Sequence, residues 1–428
     1  MPTGFLGMRG TGDWATDERP KNWRQGILYL YPNGMAPLTG LLSKMSDEAT
    51  DDPEFNWWTK VLATQGGAVT GVFTDAGLSV AYASGGIAAQ TLYVKCAEIV
   101  ASEFRPGHQA LLRDSDHLDV DVNAKVTAVV KNGASSYLVC RLLEADDNGA
   151  STNLSNCDAV KIIGNINPEG GAMPDSIAYD PTKLTNKCQI FRTPLSITRT
   201  ARKTKLRTED AYKEAKREAM QYHSLEMEMA FFWGVQSENI GANGKPERTT
   251  DGLIQCIKQN AAANVNDYSL NTTYSGQTWL SGGEEWLDNM LEQIFRYGSM
   301  EKMAFAGSGA LLGMNRLAKS SGQIQLQPMT AAYGLKVMEW ITPFGTLYVK
   351  THPLFSYDAT TRNSMVIFEP SELRYRYIDD TMFIADKDNS GINRVDGTNE
   401  EWLTECGLEY HHPLKFGFLQ GMGLNSVV

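Results

Sequence analysis

Apolar positions along this chain change period from segment to segment, and the period is clearest between Thr208 and Gly234. There, in TEDAYKEAKREAMQYHSLEMEMAFFWG, Ala211, Ala215, Ala219 and Tyr222 fall on one helical stripe that Met227, Ala230 and Phe231 continue. Thr208 is a good N-cap, Glu209 and Asp210 meet the positive end of the helix, and Gly234 is a natural stop. The pattern predicts one helix about 40 Å long, well beyond the usual few turns.

Upstream, shorter β-type runs dominate. Residues 67–165 hold TLYVKCAEIV, HQALLRD, AKVTAVV, SYLVCRLLEA and AVKIIGNI, separated by Gly, Asp and Asn. Turn signals at intervals of roughly eight to twelve residues predict a small all-β module. RPGHQ and KNGAS read as turns, the second as an Asn-Gly hairpin. The uncharged stretch 76–94 has the length of a membrane span, but its glycines and serines make it loop and strand. After the long helix comes a polar stretch, 259–277, and then helices at about Gly283–Tyr297 and Gly309–Lys319 around a strand, KMAFAG. LKVMEWIT, GTLYVKTH, SMVIFEP, LRYRYI and EWLTECGLEYHH complete the chain as strands.

The first 36 residues keep no period and read as an extended arm, followed by a short helix in Pro37–Met45. Phe55, Trp57 and Trp58 lie close together, and exposing all three would be costly. They therefore pack inside the subunit or against a partner.

Composition narrows the class. With 428 residues, 42% of them hydrophobic and 21% charged, the chain is an ordinary folded protein with room for a large core. The net charge of −11 disfavours a coat on nucleic acid, because phosphate binding relies on clustered Lys and Arg. Six scattered cysteines form no CxxC pair and no zinc spacing, which points to reduced thiols. The start of the chain lacks the basic-then-apolar pattern of a signal peptide.

Candidate chemistry is sparse. GSGALLG, Gly307–Gly313, has the spacing GxGxxxG instead of GxGxxG and reads as a tight strand-to-helix turn. DKDNSG, Asp386–Gly391, opens like a calcium loop but has Gly397 where a bidentate Glu is required, so a polar hairpin loop is favoured. His411 and His412 would point to opposite sides of a strand. The basic run Arg199, Arg202, Lys203, Lys205 and Arg207 reads as a solvated or intersubunit salt-bridging segment in preference to a phosphate patch. No Walker A, HExxH or GxSxG pattern is present. Neither a catalytic residue nor a cofactor or metal ligand is expected.

Longer segments carry a resemblance. PKNWRQGILYLYPNGMAPLTGLLSKMSDEATDDPEFNWWTK, NKCQIFRTPLSITRTARKT before the long helix ending MAFFWG, TPFGTLYVKTHPLF, and LRYRYIDDTMFIADKD with GTNEEWLTECGLEYHHP resemble, in that order, a family of phage major head proteins. The likeness runs from about residue 20 to 423. It implies the α+β Hong Kong 97-type capsid fold of tailed double-stranded-DNA bacteriophages. Expected divisions are an arm at 1–60 and an extended loop at 61–205 with an inserted β module at about 90–165. A peripheral domain at 206–259 would carry the spine helix 208–234. An axial domain would occupy 260–350, and strands in 351–428 would return to the peripheral domain.

The implied function is a non-enzymatic subunit of the icosahedral head. It would assemble with itself as pentamers and hexamers in the host bacterial cytoplasm and end in the virion. Partners would be a portal and scaffolding or cement proteins, with weak, non-specific contact to the enclosed DNA and none to membrane. Candidate intersubunit contacts are Trp23, Phe55, Trp57 and Trp58, with Arg199, Arg202, Lys203 and Arg207 of the basic run. Two other classes stand beside this one: an encapsulin-like nanocompartment shell, and an α/β nucleotide-binding enzyme using the Gly307 loop.

Overall fold

The computed structural model describes residues 37–42, 47–60, 64–117, 119–146, 153–203, 211–321, 327–330, 336–385 and 397–428. The chain divides into two compact units, one of Met1–Thr59 with Lys183–Val428 and one of Lys60–Thr182.

The first unit is α+β. Its long helix, α4 (Ala211–Trp233), packs on a four-stranded sheet of order β1-β19-β20-β10, made of Asp47–Ala49, Leu373–Ile384, Gly397–Tyr410 and Gln189–Thr198. Burial along α4 follows the helical period, with Tyr212, Ala219, Met220, Met227 and Phe231 turned inward. Tyr222 is 52% exposed and leaves the expected stripe; its neighbour His223 occupies the buried face instead. Residues 208–210, where the sequence places the helix start, lie outside the described residues.

A seven-stranded sheet follows the order β13-β21-β18-β14-β17-β16-β15. These strands are Val265–Asp267, Gly417–Gln420, Met365–Phe368, Glu301–Ala306, Gly345–Thr351, Lys336–Thr342 and Gln327–Thr330. Alternation along β14 serves two cores. Met303 and Phe305 join Phe231 and Phe232 of α4 and Leu253, Ile254 and Ile257 of α5 (Leu253–Asn260). Ala304 and Ala306 face the other way, with Trp286 and Leu291 of α6 (Trp279–Phe295) and Met314 and Leu317 of α7 (Ser308–Ser321).

Helix α6 starts four residues before the sequence suggests. Its glycines permit this: a Cβ at Gly283 would lie 2.7 Å from the Trp279 ring, so glycine lets that ring lie flat on the helix. The last strands also divide differently. β19 and β20 form the four-stranded sheet, whereas β18 and β21 pair with each other and β18 with β14, joining the seven-stranded sheet. Two small ribbons, β2 (Glu54–Thr59) with β9 (Thr182–Lys187) and β11 (Ser237–Ile240) with β12 (Pro246–Thr249), complete the strands described outside the barrel.

The second unit is a closed barrel, β3-β4-β7-β6-β5-β8, built from Gly66–Phe73, Thr91–Cys96, Tyr137–Leu142, Asp121–Val130, His108–Arg113 and Ala159–Asn165. Closure removes free strand edges. Alternate residues, including Leu92, Val94, Leu112, Val122, Ala124, Leu138 and Val160, fill the interior. Helix α2 (Glu98–Ser102) adds Ala101 to this core. The barrel begins at Gly66, well before residue 90. The Asn132-Gly133 turn is a 3-10 turn over Gly133–Ser135 in place of a two-residue hairpin loop. Ser136 explains the longer form: its Oγ accepts from the Asn132 amide at 2.8 Å and donates to the Gly133 carbonyl at 2.8 Å. Among the described residues no helix is long and apolar enough to cross a membrane.

Candidate functional site

The inward face of α4 includes a carboxylate, Glu228, which is fully buried. A charge there requires partners. Its Oε2 accepts from the Thr39 amide at 2.7 Å and the Thr39 hydroxyl at 2.6 Å. Oε1 accepts from the Leu38 amide at 2.8 Å and lies 2.8 Å from His352 Nε2. A carboxylate with four such neighbours only accepts, so Nε2 carries the proton. Leu38 and Thr39 belong to α1 (Pro37–Leu42), whose six residues are all buried. One side chain thus fastens α1 to α4 and to the residue that follows β17. Burial pulls the nearby Lys350 ammonium down, and the charge of Glu228 opposes that shift.

A chain of ionic contacts ties the two sheets together. Glu48 of β1 meets Arg376 of β19 at 2.8 Å, and Arg376 pairs with Glu409 of β20. His411 Nε2 stands 2.5 Å from Glu409, and its Nδ1 is 3.8 Å from Glu372. Lys415 pairs with Glu372 and approaches Glu369, which lies 3.9 Å from Lys302 of β14. Burial pulls the Lys302 ammonium down to about 8. It keeps two carbonyl partners, Tyr297 and Lys415, each at 3.0 Å. Burial also pushes the Glu409 carboxyl up, but the hydrogen bonds from His411 and Arg376 outweigh it and hold it below the ordinary range.

His223 joins α4 to the four-stranded sheet through Thr193 (3.0 Å) and Thr404 (2.7 Å). Burial lowers its imidazole to about 4, so it is neutral at physiological pH.

The expected contact residues separate. Alternation in β2 turns Phe55 and Trp57 into the core, where Trp57 stacks on Phe55 at 5.9 Å and meets Tyr410 edge-on at 5.1 Å. Both therefore serve the subunit's own core, correcting their assignment to an intersubunit surface. Trp58 points outward and is 64% exposed. Arg199, Arg202 and Lys203 are exposed on α3 (Arg199–Lys203), with Arg202 lying 4.7 Å from the centre of the Tyr212 ring. Trp23, Arg207 and Asp386–Gly391 lie outside the described residues.

Gly307 does not open a phosphate loop. The amides of Gly309 and Ala310 both donate to the Arg362 carbonyl, and the Ser308 amide donates to Ser356 Oγ. These occupy the donors that an anion would need. His411 lies in the ionic chain and His412 adopts a left-handed backbone, φ 47°. Among the described residues no cluster of three or more His, Cys, Asp or Glu could hold a metal. All six cysteines are buried, and burial pushes the Cys96, Cys140, Cys157, Cys188 and Cys256 thiols up. The buried Glu228 and His223 escape a sequence reading. Their only local signal is a polar residue at a buried phase of the helix.

A family model described as SU10 major capsid protein matches residues 8–423. The chain belongs to that capsid protein family. A curated relative, the major capsid protein of Pseudomonas phage PaMx41, is 27% identical over 221 residues, 51% of each chain, so the match spans about half of that relative's length. Solved structures similar to this family member include a satellite phage P4 procapsid with its size determination protein, at 12% identity and TM-score 0.38, covering 61% of this chain and 79% of that one. A cyanophage Pam1 capsid gives 10% identity and TM-score 0.37, with 60% and 82% covered. An encapsulin complex from Synechococcus elongatus gives 12% identity and TM-score 0.37, with 57% and 76% covered.

Proposed function

We propose that this chain is a non-enzymatic shell subunit of a tailed double-stranded-DNA phage head, built on the Hong Kong 97-type plan and assembling with itself as pentamers and hexamers. The family match over residues 8–423 carries this reading. Two features support it. Glu228 ties helix α1 into the core through the Leu38 and Thr39 amides. Trp58, exposed beside a buried Trp57, offers an aromatic anchor of the kind that interfaces use.

The shell would be assembled in the bacterial cytoplasm and would become the head of the virion, with a portal and with scaffolding or cement proteins as partners. It would enclose DNA while binding it weakly and without sequence preference. A net charge of −11 repels phosphate, and only exposed local cations such as Arg199, Arg202 and Lys203 would touch it. Sedimentation velocity of the expressed protein tests assembly: fast particles are expected, and a compact monomer or dimer in every buffer and during infection would refute it. Titration with short duplex DNA at two salt concentrations tests the second part. Binding should be weak and fade with salt, and tight sequence-selective binding would contradict it.

A further inference from the structure

The barrel unit holds a cleft of about 520 Å³ at one rim, between the ends of β5 and β8 and the segment around Ser176–Tyr179. Small-molecule sites span roughly 300–1,000 Å³ and combine apolar walls with a few convergent polar groups. Here Ile162, Ile177 and the ring of Tyr179 form the apolar part. Glu103, Arg105, Gln65 and Asn165 supply the polar part.

Those polar groups are held in place and keep bonding capacity. Arg105 donates from Nε to His108 at 3.0 Å and from Nη1 to the Asp175 carbonyl at 2.6 Å, leaving its Nη2 hydrogens. Glu103 accepts from the Gly66 amide at 3.0 Å through Oε2, leaving Oε1. Asn165 accepts from Asn167 at 2.8 Å, leaving its amide hydrogens. Gln65 has φ 55°, a left-handed backbone rare outside glycine, and its carbonyl is fixed by the Ile162 amide at 2.7 Å. Strain of this kind gathers at binding sites.

Charge decides the ligand class. Glu103 and Arg105 cancel, and burial, with help from Arg105, lowers His108 and keeps it neutral. A site with no net charge favours neither phosphate nor a cation. Planar groups that each offer several donors or acceptors suit neighbouring hydroxyls, which both donate and accept. An aromatic face suits the C–H side of a ring. We propose that this cleft binds one neutral sugar ring, its hydroxyls on Arg105, Glu103 and Asn165 and its apolar face on Tyr179.

Saturation-transfer NMR on the full chain tests this with neutral methyl glycosides (glucoside, galactoside, mannoside and N-acetylglucosaminide), beside glucose 6-phosphate and glucuronic acid. At least one neutral glycoside should bind with a Kd of about 1 mM, and the charged sugars should not. Tyr179→Ala and, separately, Asn165→Ala should each weaken that binding at least about tenfold, with melting temperature unchanged because both side chains sit at an open rim. Silence from every neutral glycoside at about 10 mM overturns the proposal, and that arm needs no variant. Preference for the phosphorylated sugar, or binding that both variants leave intact, overturns it too.

Discussion

His352 Nε2 lies 2.8 Å from Glu228 Oε1, both side chains wholly withdrawn from water, and the same carboxylate holds the amides of Leu38 and Thr39. The buried charge is stable because all of its neighbours donate. Removing the charge while keeping the shape should therefore be costly. Glu228→Gln points an amide group at donors, and is expected to lower subunit stability by about 3 kcal/mol. Hydrogen exchange in 37–42 should rise with it. Unchanged protection there would mean that α1 is held by its apolar residues alone.

His223 makes stability depend on pH. Its folded value of about 4 lies below the ordinary 6.5, so between those limits the unfolded chain binds the extra proton. The contribution is full above pH 6.5 and is lost as pH falls toward 4, by up to about 3 kcal/mol. Denaturant midpoints of wild type and His223→Gln across that window should show a shallower acid slope in the variant.

Trp57 and Trp58 should respond in opposite ways. Trp57→Ala opens a cavity in the core and should cost about 3 to 5 kcal/mol. Trp58→Ala should leave subunit stability within about 0.5 kcal/mol, yet reduce particle yield. Thermal melting of soluble subunit and particle recovery on a gradient separate the two effects.

The Gly307 turn gives a further check. A Cβ there would lie 2.2 Å from the Arg362 carbonyl oxygen, the acceptor that caps α7. Gly307→Ala should destabilise by about 2 kcal/mol, while ATP or NAD should leave the wild-type melting temperature unmoved. A nucleotide-dependent rise would revive the enzyme reading.

What the residues disclose depends on how local the cause is. The period of α4 lies within one helix and is legible, but it misassigns Tyr222, because one step along a helix turns about 100° and a tyrosine outweighs a histidine in any apolar count. Alternation in β2 separates Trp57 from Trp58, yet two adjacent tryptophans look alike until the strand's phase is known. Glu228 gives no local hint, since its partners lie 190, 189 and 124 positions away. Gly283 inside α6 reads as a breaker only while the Trp279 ring that needs the space is unseen.

Electron microscopy of the protein purified from expressing cells shows directly whether the subunit closes into a shell. Closed, uniform icosahedral particles whose walls contain this chain at five- and six-fold positions are expected. Fields of isolated monomers or dimers under every assembly condition, or open filaments with no closed shell, would contradict it.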